Sequence, residues 1–90
     1  MSYSVRLNRR SEKIYKALSP RVQDQLKKSL KALMAYLEDI GPMPDIRKLK
    51  GKYTDVFRLR SGDYRVLFRL FSEGIEIVEI IDIITRQVGY

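Results

Sequence analysis

The sequence contains neither cysteine nor histidine. Without cysteine there are no disulfides and no thiolate metal sites, so stability has to come from packing; such usage is compatible with a reducing cytoplasm. Without histidine the commonest general base, the usual metal ligand and every Ser-His or Cys-His nucleophile are excluded. Any catalysis must then use Lys, Arg, Tyr, Asp or Glu. Long apolar runs are missing as well. None approaches 18 residues, and the opening MSYSVRLNRR lacks the apolar segment of a secretion signal. The expectation is a cytoplasmic chain with neither a signal peptide nor a membrane span. Acids are scarce over most of the chain: residues 1–72 carry 17 Lys and Arg against 7 Asp and Glu, whereas residues 73–90 carry one arginine, Arg86, against four acids.

What is present bounds the answer further. Ninety residues, 44% of them apolar, make one domain over 1–90. A domain of that size buries only about two-thirds of its unfolded surface and needs a well-made core. The net charge of +7 points to a polyanionic partner.

Tyr3-Ser4-Val5-Arg6-Leu7 alternates as a short strand does. Residues 9–18 can form a helix with Ile14, Tyr15, Ala17 and Leu18 on its apolar side. Ser19-Pro20 then reads as an N-cap followed by the first residue of a second helix. Val22, Leu26, Leu30, Leu33, Leu37 and Ile40 form one stripe along that helix, which Gly41-Pro42 ends. Residues 41–52, GPMPDIRKLKGK, read as a loop. Three strands follow, at 53–60, 63–71 and 75–84, the last apolar at nearly every position as a strand buried on both faces would be. The expected fold is α+β: β-α-α-β-β-β, an antiparallel sheet with a two-helix hairpin packed on one face.

The hairpin in FRLRSGDYRVLF carries the functional signal. With Ser61-Gly62 as a two-residue turn, Arg58 lies opposite Arg65, a like-charge pair that costs some tenths of a kcal/mol. One face then carries Tyr53, Phe57, Leu59, Tyr64, Val66, Phe68 and Leu70, with Asp55 as its polar exception. The other carries Thr54, Val56, Arg58, Arg60, Asp63, Arg65, Leu67 and Arg69. Asp63 can pair with Arg60, but Arg58, Arg65 and Arg69 have no acid opposite them. A solvated outer face accounts for a lone arginine. Three uncompensated arginines also fit an anion site, since arginine's planar fork matches phosphate oxygens.

KLKG at 48–51, FRLRSGDYRVLF at 57–68, an apolar strand and the tail ITRQVGY at 84–90 together resemble the RelE/ParE toxin superfamily. Its members carry KL.G, YR.R.GDYR..Y and a closing HR..VY in the same order, and the resemblance covers essentially the whole chain. RelE-type members are messenger-RNA interferases of type II toxin–antitoxin systems. They are endoribonucleases that cut in the ribosomal A site by attack of a ribose 2′-OH, with no cofactor or metal.

The resemblance places Arg65 at the scissile phosphate, Arg86 at the transition state and Tyr90 at the tail tyrosine. Arg58 stands where some members have a basic residue. Val56 stands where RelE-type members can have a second lysine, and Thr85 replaces the histidine often found before the tail arginine. Lys27, Lys28 and Lys31, with Lys48, Lys50 and Lys52 in the loop and Arg60 and Arg69 on the hairpin, could hold RNA backbone; the three helix lysines equally suit a solvated helix face. The implied partners are a cognate antitoxin, in a toxin–antitoxin heterotetramer, and the ribosome with its messenger RNA. Two other readings stay open: a ParE-like toxin that poisons DNA gyrase, and an inactive domain of the same fold that only binds RNA or antitoxin.

Overall fold

In the computed structural model the described residues are 3–49 and 55–85. Two helices pack against one face of a five-stranded sheet. The elements in chain order are β1 (Tyr3–Leu7), α1 (Arg9–Ala17), α2 (Pro20–Leu37), β2 (Ile46–Lys48), β3 (Phe57–Ser61), β4 (Tyr64–Ser72) and β5 (Glu76–Thr85). The strands lie in the order β1-β5-β4-β3-β2. All neighbours are antiparallel except β1 and β5, which run parallel from Tyr3 opposite Glu76 to Leu7 opposite Ile80. The sheet is therefore mixed, where the sequence suggested a purely antiparallel one. The helical hairpin returns the chain so that β1 and β5 enter the sheet in the same direction, as a crossover through helices allows.

Both helices start where their caps dictate. The Asn8 side chain accepts a 2.8 Å hydrogen bond from the Ser11 amide, and the Ser19 hydroxyl accepts one from Val22 ahead of which Pro20 sits at the first helical position. α2 ends earlier than the apolar stripe implies. Asp39 takes a left-handed conformation (φ 62°), its amide bonds back to Tyr36 O, and the Ile40 amide bonds to Ala35 O. This is a Schellman closure, with aspartate where glycine is usual. Ile40 lies past that closure and is 76% exposed, so it is not part of the core stripe.

The core sits between the helices and the sheet. Leu26 and Leu33 of α2 meet Leu59, Val66, Phe68, Val78, Ile80 and Ile83, with Phe57 stacked on Phe68 at 5.6 Å between centroids. The inward residues of β5 change spacing from Val78–Ile80 to Ile80–Ile83. A bulge does this: Leu67 pairs with Asp82 but Phe68 pairs with Ile80, leaving Ile81 without a partner on β4. The bulge turns Asp82 away from the core and puts Ile83 into it. α1 is anchored at the same place, because the Asn8 amide side chain donates to Ile81 O and the buried Ser11 hydroxyl donates to Ile80 O at 2.7 Å.

The segment 41–52, read as loop, contains β2. Its pairing with β3 places Ile46 opposite Leu59 and Lys48 opposite Phe57. Three residues on an edge, drawn into line by a neighbour and packed through one isoleucine, leave no periodic signal of their own.

A candidate anion site on the outer face of the sheet

The site expected from the hairpin lies on the sheet face away from the helices. Its geometry differs from the expected one because the turn is Gly62-Asp63, not Ser61-Gly62. Ser61 pairs with Tyr64, Arg60 with Arg65, Leu59 with Val66 and Arg58 with Leu67. Only Gly62 of the two turn residues has positive φ (+59°), the pattern of a type II′ turn with glycine at its first central position. Moving the turn by one residue shifts the pairing by two, so the side chains of β3 and β4 keep the faces predicted for them while their partners change. Asp55, ahead of β3 and expected on the helix-side face, instead pairs with Arg69 of the outer face. The facing like charges are Arg60 and Arg65, not Arg58 and Arg65.

The register change separates the arginines by environment. Arg58 is not uncompensated: its Nη2 donates to Asp45 Oδ1 at 2.8 Å, and its side chain is only 11% exposed. Asp45 precedes β2, in the segment read as loop, which is why no acid was visible opposite Arg58. Arg58 Nε is buried with no hydrogen-bond partner. Leu67, the cross-strand neighbour of Arg58, is buried on this side, and long arginine stems cover such apolar ground. Arg69 also has an acid, Asp55, at 3.3 Å between exposed groups. The expected pairing of Asp63 with Arg60 is not made. Among the described residues, Arg60 and Arg65 have no acidic partner.

Arg65 is partly enclosed. Its Nη1 donates to Tyr64 O at 3.3 Å and Gly62 O at 3.4 Å, both long, so the guanidinium folds back over the turn. Two positive groups opposite each other on adjacent strands, without local compensation, form a charge pair that an anion between them would relieve. Neutral backbone carbonyls orient Arg65 without cancelling its charge.

Other expected residues fall elsewhere. Lys48, paired with Phe57, belongs to the helix-side set rather than the arginine face. Lys27, Lys28 and Lys31 are all exposed, but they do not act as one patch. Lys27 edges an apolar cavity of about 360 Å³ lined by Leu7, Tyr15, Leu26, Leu30 and Ile83 among others, whereas Lys28 shares a groove with Arg21, Gln25 and Ser29. Val56, expected on the outer face, is 1% exposed and accepts a hydrogen bond from the Leu49 amide. Arg86, Tyr90, Lys50 and Lys52 lie outside the described residues.

Three outer-face groups were not singled out from sequence. Arg47 sits on β2 opposite Arg58, exposed and, among the described residues, without an ion pair. Asp82 lies across from Leu67 and takes Arg10 Nε at 3.1 Å. Arg6 lies 4.9 Å above the Phe71 ring and pairs with Glu79 at 3.4 Å and Glu73 at 3.7 Å. Arg47 depends on β2, Asp82 on the β5 bulge and Arg6 on the parallel pairing of β1 with β5, none of which the local pattern announces.

The family model for the ParE toxin of type II toxin–antitoxin systems, parDE, matches residues 2–88. No curated protein matches the chain. Solved structures do. The RelBE2 toxin–antitoxin complex of Mycobacterium tuberculosis contains a chain that superposes with a TM-score of 0.73 at 21% identity, covering 96% of this chain and 100% of that one. The RelE–RelB complex of Pyrococcus horikoshii gives 0.69 at 23% identity, covering 96% and 97%. A YoeB/ParE toxin of Agrobacterium tumefaciens gives 0.71 at 15% identity, covering 91% and 96%. At these identities the structural likeness establishes the fold.

Proposed function

We propose that this chain, which belongs to the ParE toxin family of type II toxin–antitoxin systems, is a ribosome-dependent endoribonuclease that cuts messenger RNA in the A site, with Arg65 holding the scissile phosphate. The observation that carries the reading is Arg65 itself. It stands opposite Arg60 with no acid among the described residues, on the strand where the GDYR motif places the phosphate-binding arginine.

In this reaction a base takes the proton from the ribose 2′-OH. The oxygen attacks the adjacent phosphorus, the bond to the 5′ oxygen breaks, and an acid returns a proton to that oxygen. The products are a 2′,3′-cyclic phosphate and a 5′-hydroxyl. Arg65 and Arg60 stabilise the negative charge that builds on the phosphoryl oxygens, an electrostatic effect of about 3–4 kcal/mol for a well-placed donor. Arg86 and Tyr90 take the transition-state and proton-transfer roles that the resemblance assigns them. Arg58 contributes field rather than contact, because Asp45 holds it. The partners in this reading are the ribosome, its messenger RNA and a cognate antitoxin whose acids cover Arg60 and Arg65; the place of action is the cytoplasm.

One observation favours a second reading, poisoning of DNA gyrase. Val56 is buried where RelE-type members can carry a second lysine, and with Arg58 tied to Asp45 the catalytic set is reduced. Inducing the chain in a bacterial host and mapping 5′ ends on one translated transcript separates the two. The ribonuclease reading expects in-frame, translation-dependent cuts that fall about 10²–10³-fold with Arg65→Ala. Growth arrest without cuts, accompanied by loss of supercoiling activity in purified gyrase, establishes the second reading instead.

A further inference from the structure

The β3–β4 turn is held from outside the hairpin. Gln25 and Ser29 lie one helical turn apart on α2 and meet the same residue of β3. Gln25 Nε2 donates to Ser61 O at 2.8 Å, and the Ser29 and Ser61 hydroxyls share a hydrogen bond at 2.5 Å. Ser61 is 3% exposed, one of two buried polar side chains among the described residues. An aliphatic residue at the inward end of β3 would extend the core without needing a partner. The serine needs a partner and has one on α2, so this contact fixes geometry at a position where packing alone would have sufficed.

Gly62 shows how close the approach is. A Cβ on it would lie 2.6 Å from Gln25 Nε2, and its φ of +59° is one that other residues adopt with strain. The turn conformation calls for glycine, and a side chain there would displace the glutamine amide from its bond to Ser61 O. The clamped residues are adjacent to the site: Ser61 follows Arg60, and its pair partner Tyr64 precedes Arg65. The Arg65 guanidinium rests on the carbonyls of Gly62 and Tyr64, at 3.4 and 3.3 Å. Bonds that long hold a side chain in place only when the carbonyls themselves are held. A hairpin end with nothing behind it is where a sheet opens first.

We infer that Gln25 and Ser29 are positioning residues: through Ser61 they fix the Gly62-Asp63 turn, and the turn carbonyls fix Arg65 for its anion. The inference rests on the reading of Arg65 as the phosphate contact. Neither α2 residue touches the phosphate; each acts through the turn. Displacing a binding group by about 1 Å can cost on the order of 10²-fold in rate, so a loosened turn matters without any loss of fold.

The test is a double-mutant cycle in the full chain, read as affinity for a short single-stranded RNA at fixed salt by fluorescence anisotropy, with ¹⁵N relaxation of Arg65 Nε as a second readout. Gln25→Ala is expected to weaken RNA binding about 3–10-fold in the wild-type background and to add nothing in an Arg65→Ala background. It also makes Arg65 Nε more mobile. The isosteric Gln25→Glu, which cannot donate to the Ser61 carbonyl, reproduces both effects with the same fold. Ser29→Thr, which keeps the hydroxyl, restores what Ser29→Ala loses. An equal loss in both backgrounds overturns the inference, since it would show Gln25 acting independently of Arg65. So does unchanged Arg65 mobility. If Arg65→Ala leaves RNA affinity untouched, the phosphate reading has failed, and the relaxation readout alone then decides: a released Arg65 upholds the positioning role, an unaltered one rejects it.

Discussion

On the helix side of the sheet, Leu59, Val66, Phe68, Val78, Ile80 and Ile83 are enclosed by one another and by two leucines of α2. On the other side, Arg58 of β3, Arg69 of β4 and Arg6 of β1 are each met by an acid, and Asp82 of β5 takes Arg10 from the start of α1. The first face is held by non-directional burial, the second by pairs whose worth depends on how far each is withdrawn from water. At the Gly62-Asp63 end the second pattern stops: Arg60 and Arg65 face each other, and among the described residues neither has an acid. Arg47 on β2 also lacks an acid among the described residues, but it faces Arg58, which Asp45 compensates. Two uncompensated arginines face each other at the Gly62-Asp63 turn, and that marks the turn as the place where charge is left for something else.

Deleting the centre of the first face is the largest way to break this contrast. Phe68→Ala removes a fully enclosed ring stacked on Phe57. The expected loss is about 3–5 kcal/mol, a large share of the stability of a 90-residue domain. Urea denaturation monitored by circular dichroism measures it; a loss below about 1 kcal/mol would mean that the helices do not close over this side as described.

The next test concerns the most withdrawn pair of the second face. Asp45→Ala leaves the Arg58 guanidinium nearly buried without its carboxylate, at a cost of about 1–2 kcal/mol. This is less than for a fully buried pair, because the aspartate itself is half exposed. Arg58→Met, which keeps the stem over Leu67 and removes the charge, is expected to change stability by less than about 1 kcal/mol. Aspartate loss costing more than arginine loss, in the same urea experiment, is the signature of a stranded charge. Equal costs would show the pair to be an ordinary surface contact. A smaller gain is expected at the end of α2. Asp39→Gly relieves a left-handed aspartate and removes a negative charge from the helix C-terminus, raising stability by about 0.5–1 kcal/mol.

The residues that resisted reading from sequence are those whose neighbours are remote. The Ser19-Pro20 cap, the strands β3 to β5 and the sorting of β3 and β4 between two faces were legible, because capping residues and period-2 spacing depend only on the local chain. The face assignment even survived a misplaced turn, since the two registers differ by two residues. Arg58 was misjudged for a different reason. Its partner Asp45 immediately precedes a three-residue edge strand that exists only because β3 is there to pair with it. Asp82 was passed over because a bulge, which leaves no mark in composition, decides which way it points. Of the candidate site, the hairpin arginines were visible as a group, but which of them are free of acids among the described residues was not.

The smallest effect is the most diagnostic. Arg60→Glu converts the facing like charges at the turn into an opposite pair, worth roughly 0.2–1 kcal/mol across two strands. By itself the change should raise the melting temperature by about 1–8 °C. If the Arg60/Arg65 pair holds an anion, adding inorganic phosphate stabilises the wild-type chain by mass action, because the ligand binds only the folded form. In the variant the glutamate occupies the position of that anion, and phosphate should no longer raise its melting temperature. The two effects have opposite signs: the variant is the more stable protein without phosphate and the less responsive one with it. A surface cluster with no role beyond solubility would show the first effect and, in the wild-type chain, no dependence on phosphate beyond that seen at equal ionic strength in chloride.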